Sequence, residues 1–154
     1  MLLAINCFTS SHYDQQTREA LVKLQHKIDA KKATRLWDAA LATGWKNAPV
    51  WVHGDISLGN LLVKDGKLCA VIDFGQLAVG DPACDLAIAW TFFKDEGRSV
   101  FRDTLELDDD TWLRGSAWAL WKALITAAGF TNPGNTEALQ CLSIIDETLS
   151  DCKF

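Results

Sequence analysis

The run His53-Gly54-Asp55-Ile56-Ser57-Leu58-Gly59-Asn60, followed by Ile72-Asp73-Phe74-Gly75, is where residue types and spacing in this sequence could do chemistry. Asp55 and Asn60 bracket a short loop, and a β-prone run that turns back on itself returns Asp73 to the same end of a small sheet. Three oxygen-bearing side chains can therefore meet there. Hard oxygen ligands suit Mg²⁺, which binds through one or two carboxylates and completes its shell with water and substrate phosphates. That is the outline of a phosphate-chemistry site. Taken singly, these residues have plainer readings. Asp73 before a glycine and Asn60 in a loop are ordinary turn residues, and His53 reads as a buried support rather than an acid or base. Asp85 reads as a helix-side or loop-tethering group rather than a contact to substrate. The joint pattern is what points to chemistry.

The flanking elements must hold this loop. Leu21, Leu24 and Ile28 recur at helical intervals after Asp14, which reads as an N-cap. A second helix carries Leu36, Trp37 and Ala40 and is expected to stop at Gly44. Val50–Val52 reads as a short strand, and Leu61–Lys64 and Lys67–Ile72 flank Asp65-Gly66. Asp-Gly between two β-prone runs is a strong hairpin signal, because both central positions must take positive φ. Asp81-Pro82 is expected to open a helix running through Leu86, Ile88 and Trp90 and fading by Gly97. Asp108–Asp110 should cap a long helix that ends at Gly129, and a last helix carries Leu139, Leu142, Ile145 and Leu149. The expected class is α+β, mostly α-helical, with a small β-hairpin carrying the catalytic and metal-binding loops.

Composition bounds the reading. At 154 residues, 49% hydrophobic and 23% charged, the chain can bury one core, and residues 1–154 are read as a single domain. A formal net charge of -5, without a basic cluster, argues against a nucleic-acid partner. Five scattered cysteines without a CxxC pair read as reduced thiols packed as small apolar groups. The seven tryptophans read as core residues, Trp118 and Trp121 included. No span reads as a membrane helix or a signal peptide, so the expectation is a cytoplasmic protein with no membrane partner.

The motifs His53-Gly54-Asp55 with Asn60, Ile72-Asp73-Phe74-Gly75, and Gly80-Asp81-Pro82-Ala83-Cys84-Asp85-Leu86-Ala87 resemble those of the aminoglycoside phosphotransferase and choline kinase family, whose core is protein-kinase-like. The spacing of Asp55 to Asn60 equals that of the kinase catalytic loop, and Asp73-Phe74-Gly75 matches its metal-binding motif. The likeness is tightest from Trp51 to Trp90 and extends more loosely to Thr17–Leu21 and Trp118–Ile125. The resemblance implies that Asp55 is the catalytic base and that Asn60 and Asp73 hold Mg²⁺. It also implies that ATP or GTP donates its γ-phosphate to a small-molecule hydroxyl. His53 and Asp85 would support the loop, and Asp81 would be a cap rather than a catalyst.

The resemblance further implies that this chain is the C-terminal lobe of the protein-kinase-like fold. The residues before His53 read as helices and show no glycine-rich hairpin or strand lysine, so an N-terminal nucleotide-binding lobe is expected to be absent from residues 1–154. Two functional expectations follow. One is a phosphotransferase that is incomplete without that lobe. The other is a catalytically silent lobe acting as a binding module or remnant. In either case the surface that would meet the lobe should be apolar, covered by a separate N-terminal lobe, by a second copy in a homodimer, or by Met1–Phe8.

Overall fold

The computed structural model describes Ala4–Ile5 and residues 11–151. In chain order the elements are β1 (Ala4–Ile5), α1 (Ser11–Leu24), α2 (Ala30–Leu41), β2 (Val50–Val52), β3 (Leu61–Lys64) and β4 (Lys67–Val71). They continue with β5 (Ala78–Gly80), a 3-10 segment (Pro82–Ala87), α3 (Ile88–Thr91), α4 (Asp95–Leu105), α5 (Asp109–Ala127) and α6 (Asn135–Asp151). The fold is α+β and mostly helical, as the sequence predicts.

α5 is the axis of the molecule. It packs against α1, α2, α6 and the 3-10 segment, and buried residues occur on all sides of it. A helix enclosed in this way needs apolar or small residues around its whole circumference. Gly115 is the closest approach: a Cβ there would lie 2.7 Å from Leu86 Cβ, so its lack of a side chain lets the 3-10 segment seat against the helix. The helix ends are chemically defined. Asp108 accepts a hydrogen bond from Thr111 N–H as N-cap. At the other end Gly129 has φ +78°, Gly129 N–H donates to Thr126 C=O, and Phe130 N–H donates to Ile125 C=O. This paired bonding satisfies carbonyls that would otherwise lack partners.

The sheets are small. β5 lies between β1, to which it runs parallel, and β2, to which it runs antiparallel. β3 and β4 form the expected antiparallel hairpin, with Asp65 at φ 52° and Gly66 at φ 75°. Val50, Trp51, Val63, Leu68 and Phe74 are exposed. These exposed apolar residues lie on β2, the hairpin and the turn after it. Met1–Phe8, apart from Ala4–Ile5, lie outside the described residues.

Several expectations need correction. α1 begins at Ser11, so Asp14 is not its N-cap; its carboxylate instead accepts from Trp37 Nε1 at 2.8 Å and from Arg18 Nε at 3.0 Å, joining α1 to α2. α2 stops at Leu41 before reaching Gly44, and its cap is Asp29, which accepts from Lys32 N–H. The segment opened by Asp81-Pro82 is 3-10 before it becomes the short α3, and Gly97 lies inside α4, whose polar face hides its helical period. Cys84 and Cys141 are buried thiols as expected, but Cys69 is exposed on β4; Cys7 and Cys152 lie outside the described residues. Trp51 is 65% exposed rather than core. No helix among the described residues is long and apolar enough to cross a membrane.

Candidate active site

The site grows out of the turn after β2. Gly54 has φ +82°, and a Cβ there would sit 2.5 Å from the Gln76 carbonyl oxygen, so only glycine lets the chain turn this close to the segment before β5. Asp85 clamps the same turn: its Oδ2 accepts from His53 N–H and its Oδ1 from Gly54 N–H, both at 2.8 Å. Asp85 is positioned by the 3-10 segment, whose first turn is capped by Asp81 accepting from Ala83 N–H at 3.0 Å. The expected tether and the expected cap are both present.

His53 is buried and bonded on both ring nitrogens. Nε2 lies 2.9 Å from the Ile72 carbonyl oxygen, which can only accept, so Nε2 carries the proton. Nδ1 is then the acceptor for Asp55 N–H at 3.3 Å. The imidazole thus bridges the Asp55 loop to the end of the hairpin. Phe74 packs on the ring with centroids 4.8 Å apart. Both contacts make His53 a support.

Asn60 closes the loop from its far side. Its Nδ2 donates to the Asp55 carbonyl at 2.9 Å, and its own carbonyl accepts from Ile72 N–H at 2.9 Å. Ile72 therefore links Asn60 and His53 through its two backbone groups and delivers Asp73 immediately beside them. Asp73 is exposed and left-handed, with φ 63° and ψ 62°, a conformation that aspartate adopts more readily than most residues. The structure thus ties Asn60 to the backbones of Asp55 and Ile72, the neighbour of Asp73. Asn60 Oδ1 and the Asp73 carboxylate are hard oxygen donors without a protein partner among the described residues, and donors of this chemistry are the kind Mg²⁺ takes. Among those residues there is no cluster of three or more His, Cys, Asp and Glu, so the fit is to a cation that keeps several non-protein ligands.

Lys122 is the residue that sequence reasoning missed. From α5 its Nζ donates to Asp55 Oδ1 at 2.8 Å, leaving Oδ2 with no protein partner among the described residues. A signal existed: beyond its first turn, α5 carries only two charged residues, Arg114 and Lys122. Arg114 is also committed to the site's frame. Buried among apolar groups, it donates to Asp81 Oδ2 from Nε at 2.6 Å and to Asp81 Oδ1 from Nη2 at 3.3 Å. Asp55 and Lys122 face a cavity of about 370 Å³, also lined by Tyr13, Gln76, Trp118 and Trp121. Trp118 and Trp121 were expected to serve the core alone; Trp118 is buried, yet both line this cavity.

The model of the phosphotransferase enzyme family matches residues 8–120. The chain belongs to this family. The match includes the site residues above except Trp121 and Lys122, which lie just beyond it. Two aminoglycoside 3'-phosphotransferases from Escherichia coli are similar to the chain. One is 43% identical over 47 residues, which are 30% of this chain and 17% of the relative. The other is 49% identical over 41 residues, which are 27% of this chain and 15% of the relative. Each match therefore spans less than a fifth of the curated phosphotransferase. Among solved structures, the gentamicin-APH(2")-IIa complex is 19% identical with a TM-score of 0.47, covering 98% of this chain and 57% of that one. The ADP-bound aminoglycoside phosphotransferase APH(2'')-Ib is 17% identical with a TM-score of 0.43, covering 90% of this chain and 52% of that one.

Proposed function

We propose that this chain carries the catalytic-loop half of a phosphotransferase that moves the γ-phosphoryl group of ATP or GTP to a hydroxyl of a small molecule. The observation that supports this most is the bond from the Asn60 amide to the Asp55 carbonyl, which locks the base loop to the hairpin end bearing Asp73 within a chain of this family. Asp55 is the base. With Oδ1 held by Lys122, Oδ2 is the atom free to take the acceptor's proton. As the hydroxyl oxygen bonds to the γ-phosphorus, the bond from phosphorus to the β–γ bridging oxygen breaks and the nucleoside diphosphate leaves. Asn60 and Asp73 are the residues that would hold Mg²⁺, whose charge would offset that of the phosphate oxygens. His53, Asp85 and Gly54 keep Asp55 in place, and positioning supplies much of the catalysis in phosphoryl transfer.

The described residues do not include a strand lysine paired with a helical glutamate to hold the α- and β-phosphates. A further lobe, or a second copy of the chain, supplies that half of the cleft in this reading. The exposed Trp51, Val63, Leu68 and Phe74 give it an apolar surface. The protein acts in the cytoplasm, where both nucleotides are available. The test is transfer of labelled γ-phosphate to a panel of hydroxyl acceptors, with Asp55→Asn as control. Loss of at least about 100-fold in that variant supports the assignment. Equal rates in parent and variant refute it, and no transfer in either favours a silent binding lobe.

A further inference from the structure

The ion pair between Lys122 and Asp55 bears on what the cavity can accept, granted the phosphotransferase reading above. We propose that Lys122 is a positioning and specificity residue that makes the acceptor site electrically neutral, so that its substrate class is a compact uncharged polyol, such as a sugar ring, rather than a polycation.

The charged side chains lining the cavity, among the described residues, are Asp55 and Lys122, and they are paired at 2.8 Å. An acceptor bearing several ammonium groups needs several carboxylates to replace its lost hydration. This cavity offers one, and it is already neutralised. A substrate ammonium near the reacting hydroxyl would also meet the Lys122 ammonium, with no second acid among the described lining residues to offset the repulsion. An anionic acceptor meets the converse difficulty, because Asp55 must stand beside the hydroxyl it deprotonates.

The rest of the lining suits a neutral ring. Tyr13, Trp118 and Trp121 form an edge-to-face cluster with centroid separations of 5.1, 4.8 and 5.3 Å. Trp121 is held in orientation by Nε1 donating to Gln16 Oε1 at 3.2 Å. Aromatic faces attract cations as well as C–H groups, so the rings alone do not decide between substrates. The charge of the cavity does. Gln76 and backbone groups in the lining provide uncharged donors and acceptors for hydroxyls.

Lys122 also fixes which carboxylate oxygen of Asp55 is free. Met at this position preserves the length and apolar packing of the lysine stem while removing the charge, and Arg restores the charge.

The test is calorimetric binding to the full chain without nucleotide, using hexoses and inositols as neutral probes, gentamicin as the polycation and glycerate as the anion. Because it reads binding, it is independent of turnover; failure of phosphate transfer with retained selectivity counts against the function proposed above and not against this inference. The parent is expected to bind at least one neutral polyol more tightly than gentamicin or glycerate. In Lys122→Met the exposed carboxylate should raise gentamicin affinity at least about tenfold while polyol affinity changes less than about threefold, and Lys122→Arg should restore the parent's selectivity. Tighter binding of gentamicin or glycerate than of every polyol by the parent overturns the proposal. So does the absence of heat with any polyol at tens of millimolar, or an unchanged gentamicin affinity in a folded Lys122→Met.

Discussion

Replacing Arg114 by methionine should destabilise the protein by about 3–5 kcal/mol, because it leaves the Asp81 carboxylate buried without its counter-charge. The geometry places the effect at that end of the scale for ion pairs. The Arg114 side chain is 1% exposed and that of Asp81 9%, and two guanidinium nitrogens engage both carboxylate oxygens. Arg114 also donates to Thr43 Oγ1 and Thr111 Oγ1, at 3.2 and 3.1 Å, so the loss spreads to α5 and to the turn after α2. At roughly 2–4 °C per kcal/mol for a chain of this size, the melting temperature should fall by about 6–20 °C. Adding Asp81→Asn removes the stranded charge while keeping an oxygen for the Ala83 amide, and the double variant should regain at least about 2 kcal/mol. Urea unfolding followed by circular dichroism measures all three proteins. A loss below about 1 kcal/mol for Arg114→Met, or no recovery in the double variant, would place this pair with exposed salt bridges and refute the reasoning. The Asp55 loop should be disturbed as well, since the 3-10 segment that Asp81 opens carries Asp85, and Asp85 holds the His53-Gly54 turn before it.

Gly54→Ala forces a Cβ against the Gln76 carbonyl at a φ of +82°, and should cost about 1–3 kcal/mol in thermal or urea melts and displace Asp55. Gly115→Ala should cost a similar amount, about 1–3 kcal/mol in the same melts, by pushing α5 off Leu86. Asp108→Ala should lose about 1 kcal/mol of capping energy at neutral pH. Its carboxyl is held below the ordinary aspartate range chiefly by the Thr111 backbone N–H. That contribution is therefore complete above the unfolded value of about 3.9 and fades as pH falls through the folded one, so the stabilities of parent and variant should converge in acid.

What could be read in the sequence was what is local. The hairpin follows from Asp65-Gly66 because two adjacent positive φ values are a property of that dipeptide, and the limits of α5 follow from Asp108 and Gly129. The Asp81 cap is local too, whereas the Asp85 tether joins residues 31 and 32 positions apart and was legible only through the resemblance carried by the site motifs. Elements without a periodic signature were not. β5 is three small or branched residues whose strand character comes from its neighbours β1 and β2, and α4 is polar enough to obscure its period. Least legible were the pairs formed across the fold. Arg114 meets Asp81 and Lys122 meets Asp55 only because α5 passes beneath both, and no short-range rule connects residues on separate elements. Arg114 and Lys122 are nonetheless the two charges beyond the first turn of an otherwise apolar α5, and for Arg114, which is buried, a charge implies a partner.

In the function proposed above, Asp55, Asn60 and Asp73 form the metal-dependent half of a phosphotransferase site. Titrating this chain with ATP or GTP in the presence and absence of Mg²⁺, and repeating it with Asp73→Ala, tests that most directly. Saturable binding that requires Mg²⁺ and weakens at least about tenfold in Asp73→Ala is expected. No heat at millimolar nucleotide, or binding indifferent to both Mg²⁺ and Asp73, would contradict it.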